Sequence, residues 1–479
     1  MKALIFVAFF GFSVCAVAQR PNIVFILADD LGNGEISHND TFASTPNIDT
    51  LIANGAYFTQ AYSQPMCTPS RAAIMTGVYP WKQSWGRSVV YPWRDNYMEF
   101  GRPLLPERLR GEGYTTAIIG KWHLGHIYPE YAPVNRGWDY QFGNLGGSMD
   151  YNTYNYAVYY TDDITENGQH FDTTGYYTRI LGAKAVQFIE QQARCPDLCP
   201  FFMYVAFTAP HTPEQAPAAT IAAAPGGYTT SQKTKWAMIK EMDNEIGDII
   251  TALEDAGIRD STIVIFTSDN GATMLGGIWD NYFGNNDPYQ GEKAGLYEGG
   301  VRVPLVWNWP GQIAVQEVDS AVHLIDLFPT IIQGVLGRPM PSSQEVDGVN
   351  YYGLMDGGSI AQRDLILNLI PNRCSAVVRG QWKLVNNPDV NNIDTTSVAD
   401  DIRLYNVRTD PGETTDVSGS NPSVVSALQA VIDASLSEYV DTQILPISSP
   451  APVGWIDVDE CGTKKTFWNN PDYLYSRGE

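Results

Sequence analysis

The apolar run Ile23-Val24-Phe25-Ile26-Leu27-Ala28 ends abruptly in Asp29-Asp30. An unbroken run of this kind belongs to a strand buried on both faces, the mark of a parallel sheet covered by helices. The same reading holds for Thr115–Ile119, Phe201–Phe207 and Thr262–Phe266. Each is followed by polar chemistry: Lys121-Trp122-His123, Pro210-His211 and Ser268-Asp269-Asn270. In open α/β sheets, sites form beyond the carboxyl ends of the strands. Four strands delivering polar residues at one end therefore predict an α/β fold with its site there.

Ile239, Met242, Ile246, Ile249, Ile250 and Leu253 form a helical apolar stripe, and Gly257 stands where a helix stop is needed. Ser423–Val440 reads as another amphipathic helix. After about residue 365 the pattern changes to hairpin strands, Ser375–Arg379 and Trp382–Val385, around Gly380-Gln381. The expected organisation is a leader over 1–18, a large body over 19–365 and a smaller C-terminal α+β region over 366–479.

The leader reading rests on Lys2, the apolar stretch Ala3–Val17 and the small residues Ala16-Val17-Ala18, with Gln19 as the mature start. It implies the secretory pathway, with secretion or the lysosome as destination, and a compartment that permits disulfides. No other stretch is apolar enough for a membrane span. Of six cysteines, Cys15 leaves with the leader and five remain, so one at least has no partner in the chain. Cys195 and Cys199 close a tight loop, Cys374 and Cys461 could tie the last segment to the body, and Cys67 is left over. Asn39-Asp40-Thr41 is the one acceptable glycosylation sequon, because Asn421 is followed by Pro. With 30 Lys and Arg against 53 Asp and Glu the net charge is −23, which excludes a nucleic-acid binder.

Asp29, Asp30, Asp269 and Asn270 offer three carboxylates and an amide, a donor set for a hard divalent cation such as Ca2+ or Mg2+. Lys121, His123, His211 and Lys293 would add an anion-binding pocket beside it, with His available to give a proton to a leaving group. Pro69 suits a first helical turn, so Cys67 would sit at a helix N-terminus, where free amides favour an anion and a thiolate would be an activated nucleophile. The blander reading of Cys67 is a buried structural thiol.

Cys67-Thr68-Pro69-Ser70-Arg71 resembles the Cys-x-Pro-x-Arg signature of the formylglycine-dependent sulfatases. Gly120-Lys121-Trp122-His123-Leu124-Gly125 resembles their second motif. The likeness continues through Asn135–Asp139, His211-Thr212-Pro213, Asp269-Asn270-Gly271, Gly291-Glu292-Lys293, Glu298-Gly299-Gly300 and Leu404–Glu413. Within the family it points to arylsulfatase B-like enzymes, including the N-acetylgalactosamine-4-sulfatases. The implied fold is alkaline phosphatase-like: a large mixed, mostly parallel sheet sandwiched by helices, with a smaller domain carrying an antiparallel sheet.

The resemblance also implies roles. Cys67 becomes formylglycine through the formylglycine-generating enzyme, and its hydrate attacks sulfur. One Ca2+ is held by Asp29, Asp30, Asp269 and Asn270 and contacts position 67. Arg71 supports the hydrate, Lys121 and Lys293 bind sulfate oxygens, His211 protonates the departing alcohol, and His123 takes the remaining proton of the hydrate. Ser148 and Asp150, in Gly146–Tyr151, resemble a substrate-lining loop. His126 departs from the residue expected after Leu124-Gly125. The substrate would be a small sulfate ester or a sulfated sugar. Two alternatives use the same fold: a phosphatase or phosphodiesterase, which would normally need a Thr or Ser nucleophile and two zinc ions, and a catalytically dead sulfatase-like binding protein, which would be expected to have lost one or more of these residues.

Overall fold

The computed structural model of the chain describes residues 20–83, 89–90, 102–125, 129–155, 163–194, 199–273, 283–340, 346–370, 374–386 and 401–438. The expected leader, His126, Cys195 and Cys461 lie outside the described residues, and so do both expected disulfides, each of which has one member there.

The run that opens the sequence is β1 (Asn22–Ala28). The large sheet continues with β2 (Ala56–Tyr62), β3 (Thr115–Gly120), β4 (Tyr140–Asn144), β5 (Ile164–Glu166), β6 (Gln169–His170), β7 (Phe201–Ala206), β8 (Thr262–Ser268), β9 (Arg302–Asn308), β10 (Gln316–Val318) and β11 (Val322–His323). Its order is β10-β2-β9-β8-β1-β7-β3-β4-β5-β6, with β11 also beside β2. Pairings around β1, β3 and β7 are parallel, while β9 runs antiparallel to both β2 and β8. The sheet is the expected mixed, mostly parallel one.

Both faces of its middle strands are covered. Val24, Ile26 and Ala28 point into one core, against α1 (Pro46–Ala53), α4 (Tyr177–Ala193) and α6 (Thr230–Asp255). Ile23, Phe25 and Leu27 point into the other, against α2 (Cys67–Thr76) and α3 (Leu105–Gly111). The alternation of side chains along a strand makes a continuous apolar run the requirement of a two-sided core. A short α5 (Ala218–Ala222) precedes α6. The long α6 opens on a capping box, Thr229 and Gln232 each accepting from the other's backbone amide.

A second, antiparallel sheet of β12 (Leu365–Ile370), β13 (Cys374–Arg379), β14 (Trp382–Asn386) and β15 (Ile402–Asn406) follows. One face packs Val377, Leu384 and Leu404 on Leu428 and Ile432 of the helix Pro422–Ser437. The other packs Leu367, Ala376 and Val378 on Tyr62, Leu296 and Val301 of the large body.

One expectation meets resistance here. The Asn39 amide nitrogen donates to the Asn33 carbonyl, the Asn33 side chain and the Tyr57 hydroxyl, at 3.2, 2.8 and 3.0 Å. The fold uses this nitrogen internally, and a glycan, which replaces one of its two hydrogens, could not leave all three bonds in place.

Candidate active site

β1 and β8 run parallel with Ala28 opposite Ser268, so the residues that follow them are forced side by side. Asp30 leaves the strand with φ of 62°, a conformation uncommon outside glycine. Its amide donates to Asp269 Oδ1 at 3.2 Å, and the Asn270 amide donates to Asp30 Oδ1 at 2.7 Å. On the far side of β7, β3 ends in Gly120, whose φ is 118°. A Cβ there would lie 1.9 Å from the Ala206 carbonyl oxygen, so glycine is the one residue that lets Lys121 turn into the site. Gly271 is equally constrained, since its Cβ would lie 1.8 Å from the Gly299 carbonyl oxygen. That contact explains why Asp269-Asn270-Gly271 and Glu298-Gly299-Gly300 occur together: their backbones touch.

Cys67 opens α2 and is 2% exposed. One turn on, Arg71 is wholly buried. Its Nε and Nη2 reach Asp269 Oδ2 at 3.0 and 2.9 Å, Nη1 donates to the Lys121 carbonyl at 3.0 Å, and Nη2 lies 3.7 Å from Asp29. Lys121 Nζ pairs with Asp29 at 2.5 Å and Lys293 Nζ with Asp30 at 2.7 Å. His211 Nε2 stands 3.7 Å from Asp30 Oδ2, while its Nδ1 donates to the Thr212 carbonyl at 2.6 Å. His123, also at positive φ, directs Nε2 to the Val90 carbonyl at 3.0 Å, and its buried Nδ1 has no hydrogen-bond partner among the described residues. The fold thus gathers Asp29, Asp30, Asp269, Asn270, Arg71, Lys121, Lys293 and His211 into one linked cluster. The Thr68 hydroxyl ties the Cys67 helix to the His123 carbonyl at 3.0 Å.

The donor set suits a cation. Asp29 Oδ1 and Asn270 Oδ1 are buried and accept no hydrogen bond among the described residues. A buried oxygen without a partner is costly, and four hard oxygen donors converging at two strand ends match the ligation of Ca2+ or Mg2+. Ligand atoms of Asp29, Asp30 and His211 lie within 4.8 Å of one another, the one such group of His, Cys, Asp and Glu among the described residues. His211 thus stands beside these acids, at the strand end where the sequence pattern put it.

Burial raises the Asp30 carboxyl, but Lys293, His211 and Lys121 outweigh it and hold the group well below the usual carboxylate range. Burial and the charge of Asp29 push Asp269 up to about 6 in spite of Arg71. Burial and Lys293 take His211 down to about 3, and burial with Lys121 takes His123 well down too. For Cys67, burial outweighs the attraction of Lys121 and Lys293 and raises the thiol. Desolvation at this helix N-terminus thus works against the expected activated thiolate.

Ser148 and Asp150 lie against the His211 segment, but their polar atoms meet protein groups. Ser148 donates to the Thr212 carbonyl at 3.0 Å. Asp150 accepts from the amides of Asn152 and Thr153 and, at 2.6 Å, from Gln215 Nε2. Next to them Tyr151, the last residue of their loop and given no role of its own in the sequence, has its hydroxyl 2.8 Å from the carbonyls of both Thr208 and His211. Glu298, quoted in the sequence as part of a motif but given no role, accepts from Tyr62, Arg302 and Lys383, while Lys383 pairs in turn with Glu413. This buried network joins the small sheet to the turn that abuts Gly271.

Residues 21–335 match the family described as Sulfatase. The chain belongs to the sulfatase family. This sulfatase is 32% identical to the N-acetylgalactosamine-6-sulfatase of Canis lupus familiaris over 396 residues, 78% of this chain and 73% of that protein. It is 29% identical to the N-acetylgalactosamine-6-O-sulfatase of Bacteroides thetaiotaomicron over 492 residues, 87% of this chain and 93% of that protein. Among solved structures it resembles Ps i-CgsB in complex with k-i-k-neocarrahexaose, at a TM-score of 0.79 and 28% identity, with 89% of this chain and 95% of that one covered. The sulfatase has the expected alkaline phosphatase-like fold, a large mixed sheet with a small four-stranded antiparallel one. As a member it is a sulfuric ester hydrolase. The expected nearness to 4-sulfatases is corrected, since these relatives are named for the 6-position. The motifs that carried the resemblance surround the strand-end cluster and do not encode which hydroxyl of a sugar carries the ester.

Proposed function

We propose that this sulfatase hydrolyses the sulfate ester of a sulfated N-acetylgalactosamine, with the 6-sulfate as the preferred position. The observation that carries the chemistry is the cluster itself: Cys67 at the start of α2, the buried Lys121 and the partly exposed Lys293, an imidazole and four oxygen donors at adjoining strand ends. The names of the relatives support the sugar and the position.

Asp29, Asp30, Asp269 and Asn270 would hold calcium, which when bound supplies a Lewis acid that polarises a sulfate oxygen and favours an ionised hydroxyl at position 67. Formylglycine formed from Cys67 would supply, as its hydrate, a nucleophilic hydroxyl and a second hydroxyl for release of sulfate. Lys121 and Lys293 bind sulfate oxygens and offset the charge that builds there. Both ammoniums already face carboxylates, so they are held by fixed partners before substrate arrives. Arg71 fixes Asp269 and the Lys121 carbonyl from beneath. His211 keeps a proton on Nδ1 through Thr212, so Nε2 is the atom that carries the transferable proton to the leaving oxygen. An arriving anionic sulfate ester raises the proton affinity of this imidazole, which is low in its absence. His123 accepts the proton of the residue-67 hydroxyl.

Mass spectrometry of the tryptic peptide ending at Arg71, paired with sulfate release from N-acetylgalactosamine 6-sulfate and 4-sulfate, tests the reading. An aldehyde at position 67 and faster release from the 6-sulfate are expected. A fully active protein with an unmodified thiol would overturn the mechanism, and faster release from the 4-sulfate would overturn the position.

A further inference from the structure

Beneath the site lies a buried cation that the mechanism does not use. Lys235 lies on α6 and is 1% exposed. Its Nζ donates to the Pro210 carbonyl at 3.1 Å and to the Asp30 carbonyl at 3.5 Å, and lies 3.6 Å from Glu35 Oε1. An ammonium has three donors, and three acceptors surround this one. Two of them are backbone oxygens at the places where the chain turns from β1 and from β7 into the site. Asp30 stands in the left-handed region, where its carbonyl needs a partner to keep it turned. Pro210 directly precedes His211. Glu35 in turn accepts from the Gly32 amide and the Asn285 amide, so the ammonium is anchored to the turn that follows Asp30.

We propose that Lys235 is a positioning residue: by tying the Asp30 and Pro210 carbonyls together from behind, it sets the 3.7 Å gap between the Asp30 carboxylate and His211 Nε2. It touches neither substrate nor the reacting atoms. It acts through His211, and the inference rests on the proton-donor role given to His211 above. A lysine is suited to this place because a single ammonium reaches three divergent acceptors, whereas a planar guanidinium presents its donors in a fork.

The test uses the full chain, with rates expressed per formylglycine found at position 67 and folding checked by thermal unfolding. Two aryl sulfates of similar size serve as probes: phenyl sulfate, whose leaving oxygen is basic and needs a proton, and 4-nitrophenyl sulfate, whose leaving oxygen needs little help. Lys235→Met is expected to lower kcat on phenyl sulfate by about 10–100-fold and on 4-nitrophenyl sulfate several-fold less, the signature of a displaced proton donor. Lys235→Arg keeps the charge and is expected to show the same imbalance to a smaller degree, which serves if the Met variant fails to fold. A crystal structure of either variant is expected to show the Pro210 carbonyl and the His211 ring shifted relative to Asp30. Equal losses on both substrates, or an unmoved ring, would overturn the proposal. His211→Ala is the control: if it does not discriminate between the two leaving groups, the role of His211 fails and the Lys235 proposal falls with it. If it does discriminate and neither Lys235 variant follows, the Lys235 proposal alone fails.

Discussion

Position 67 separates folding from chemistry within one side chain. Cys67 is buried, and burial raises its thiol, which disfavours the nucleophilic thiolate in the unmodified residue. Cys67→Ser swaps one small neutral group for another at the same helix start. It is expected to unfold within about 1 kcal/mol of the unmodified chain and to give no multiple turnover, because a simple sulfate ester on Ser has no second hydroxyl to expel it. Sulfate release followed beyond one equivalent of protein decides the matter, and sustained release would remove the reason for an aldehyde. At this scale the sequence was readable wherever residues that work together are close in the chain, as in Cys67 to Arg71 or Lys121 to His123. It was not readable for Lys235 and Tyr151, whose partners are the carbonyls of Asp30, Pro210, Thr208 and His211. A backbone oxygen leaves no mark on residue identity. Asp150, expected from the resemblance on a substrate-lining loop, caps its own turn and holds Gln215, contacts with no mark in the local sequence.

Elements that expose their apolar pattern on both faces were the ones legible beforehand. β1, β3, β7 and β8 each carry an unbroken run because both sides of the sheet are covered. β2 and β9 were missed, since Gln60, Arg302 and Pro304 interrupt them while antiparallel pairing still holds them in the same sheet. What the strands deliver depends on how they end. β3 meets β7 so closely at its last residue that Gly120 has neither room nor a suitable φ for a side chain. Gly120→Ala is expected to cost more than about 1 kcal/mol and to lower turnover through displacement of Lys121. Gly419→Ala, with nothing within 4 Å of the added carbon, is the matched control and should be near neutral in both measurements. Equal thermal midpoints for the two variants would show that the β3 end is looser than the contact with Ala206 requires.

Across the whole molecule the sparse cations are placed where acids would otherwise be alone. Lys383 of β14 lies between Glu298 and Glu413 with no side chain exposed, and Glu413 also accepts from the Glu298 amide at 2.5 Å. Lys383→Met leaves Glu413 without a cation and Glu298 with Arg302 alone, and is expected to destabilise by about 3–5 kcal/mol, with Lys383→Met plus Glu413→Leu recovering part of the loss in urea unfolding. A double variant no better than the single would mean that the lysine stabilises by packing and not by charge. On α6 the acids have less help. Glu245 packs against Gly182 of α4, and burial, followed by Asp248 and Glu241, pushes its carboxyl from 4.5 up to about 8 in spite of Arg179. The folded state therefore holds this proton more tightly than the unfolded chain does. Stability from the group is fully present below pH 4.5 and is lost as pH rises through about 8. Glu245→Gln keeps the shape without the charge. It should match the unmodified chain near pH 4.5 and exceed it increasingly up to pH 8, which urea midpoints taken across that range would register. A stability difference that stays constant across the range would show that Glu245 is solvated, and that the net charge of −23 is carried without a cost at the α4–α6 contact.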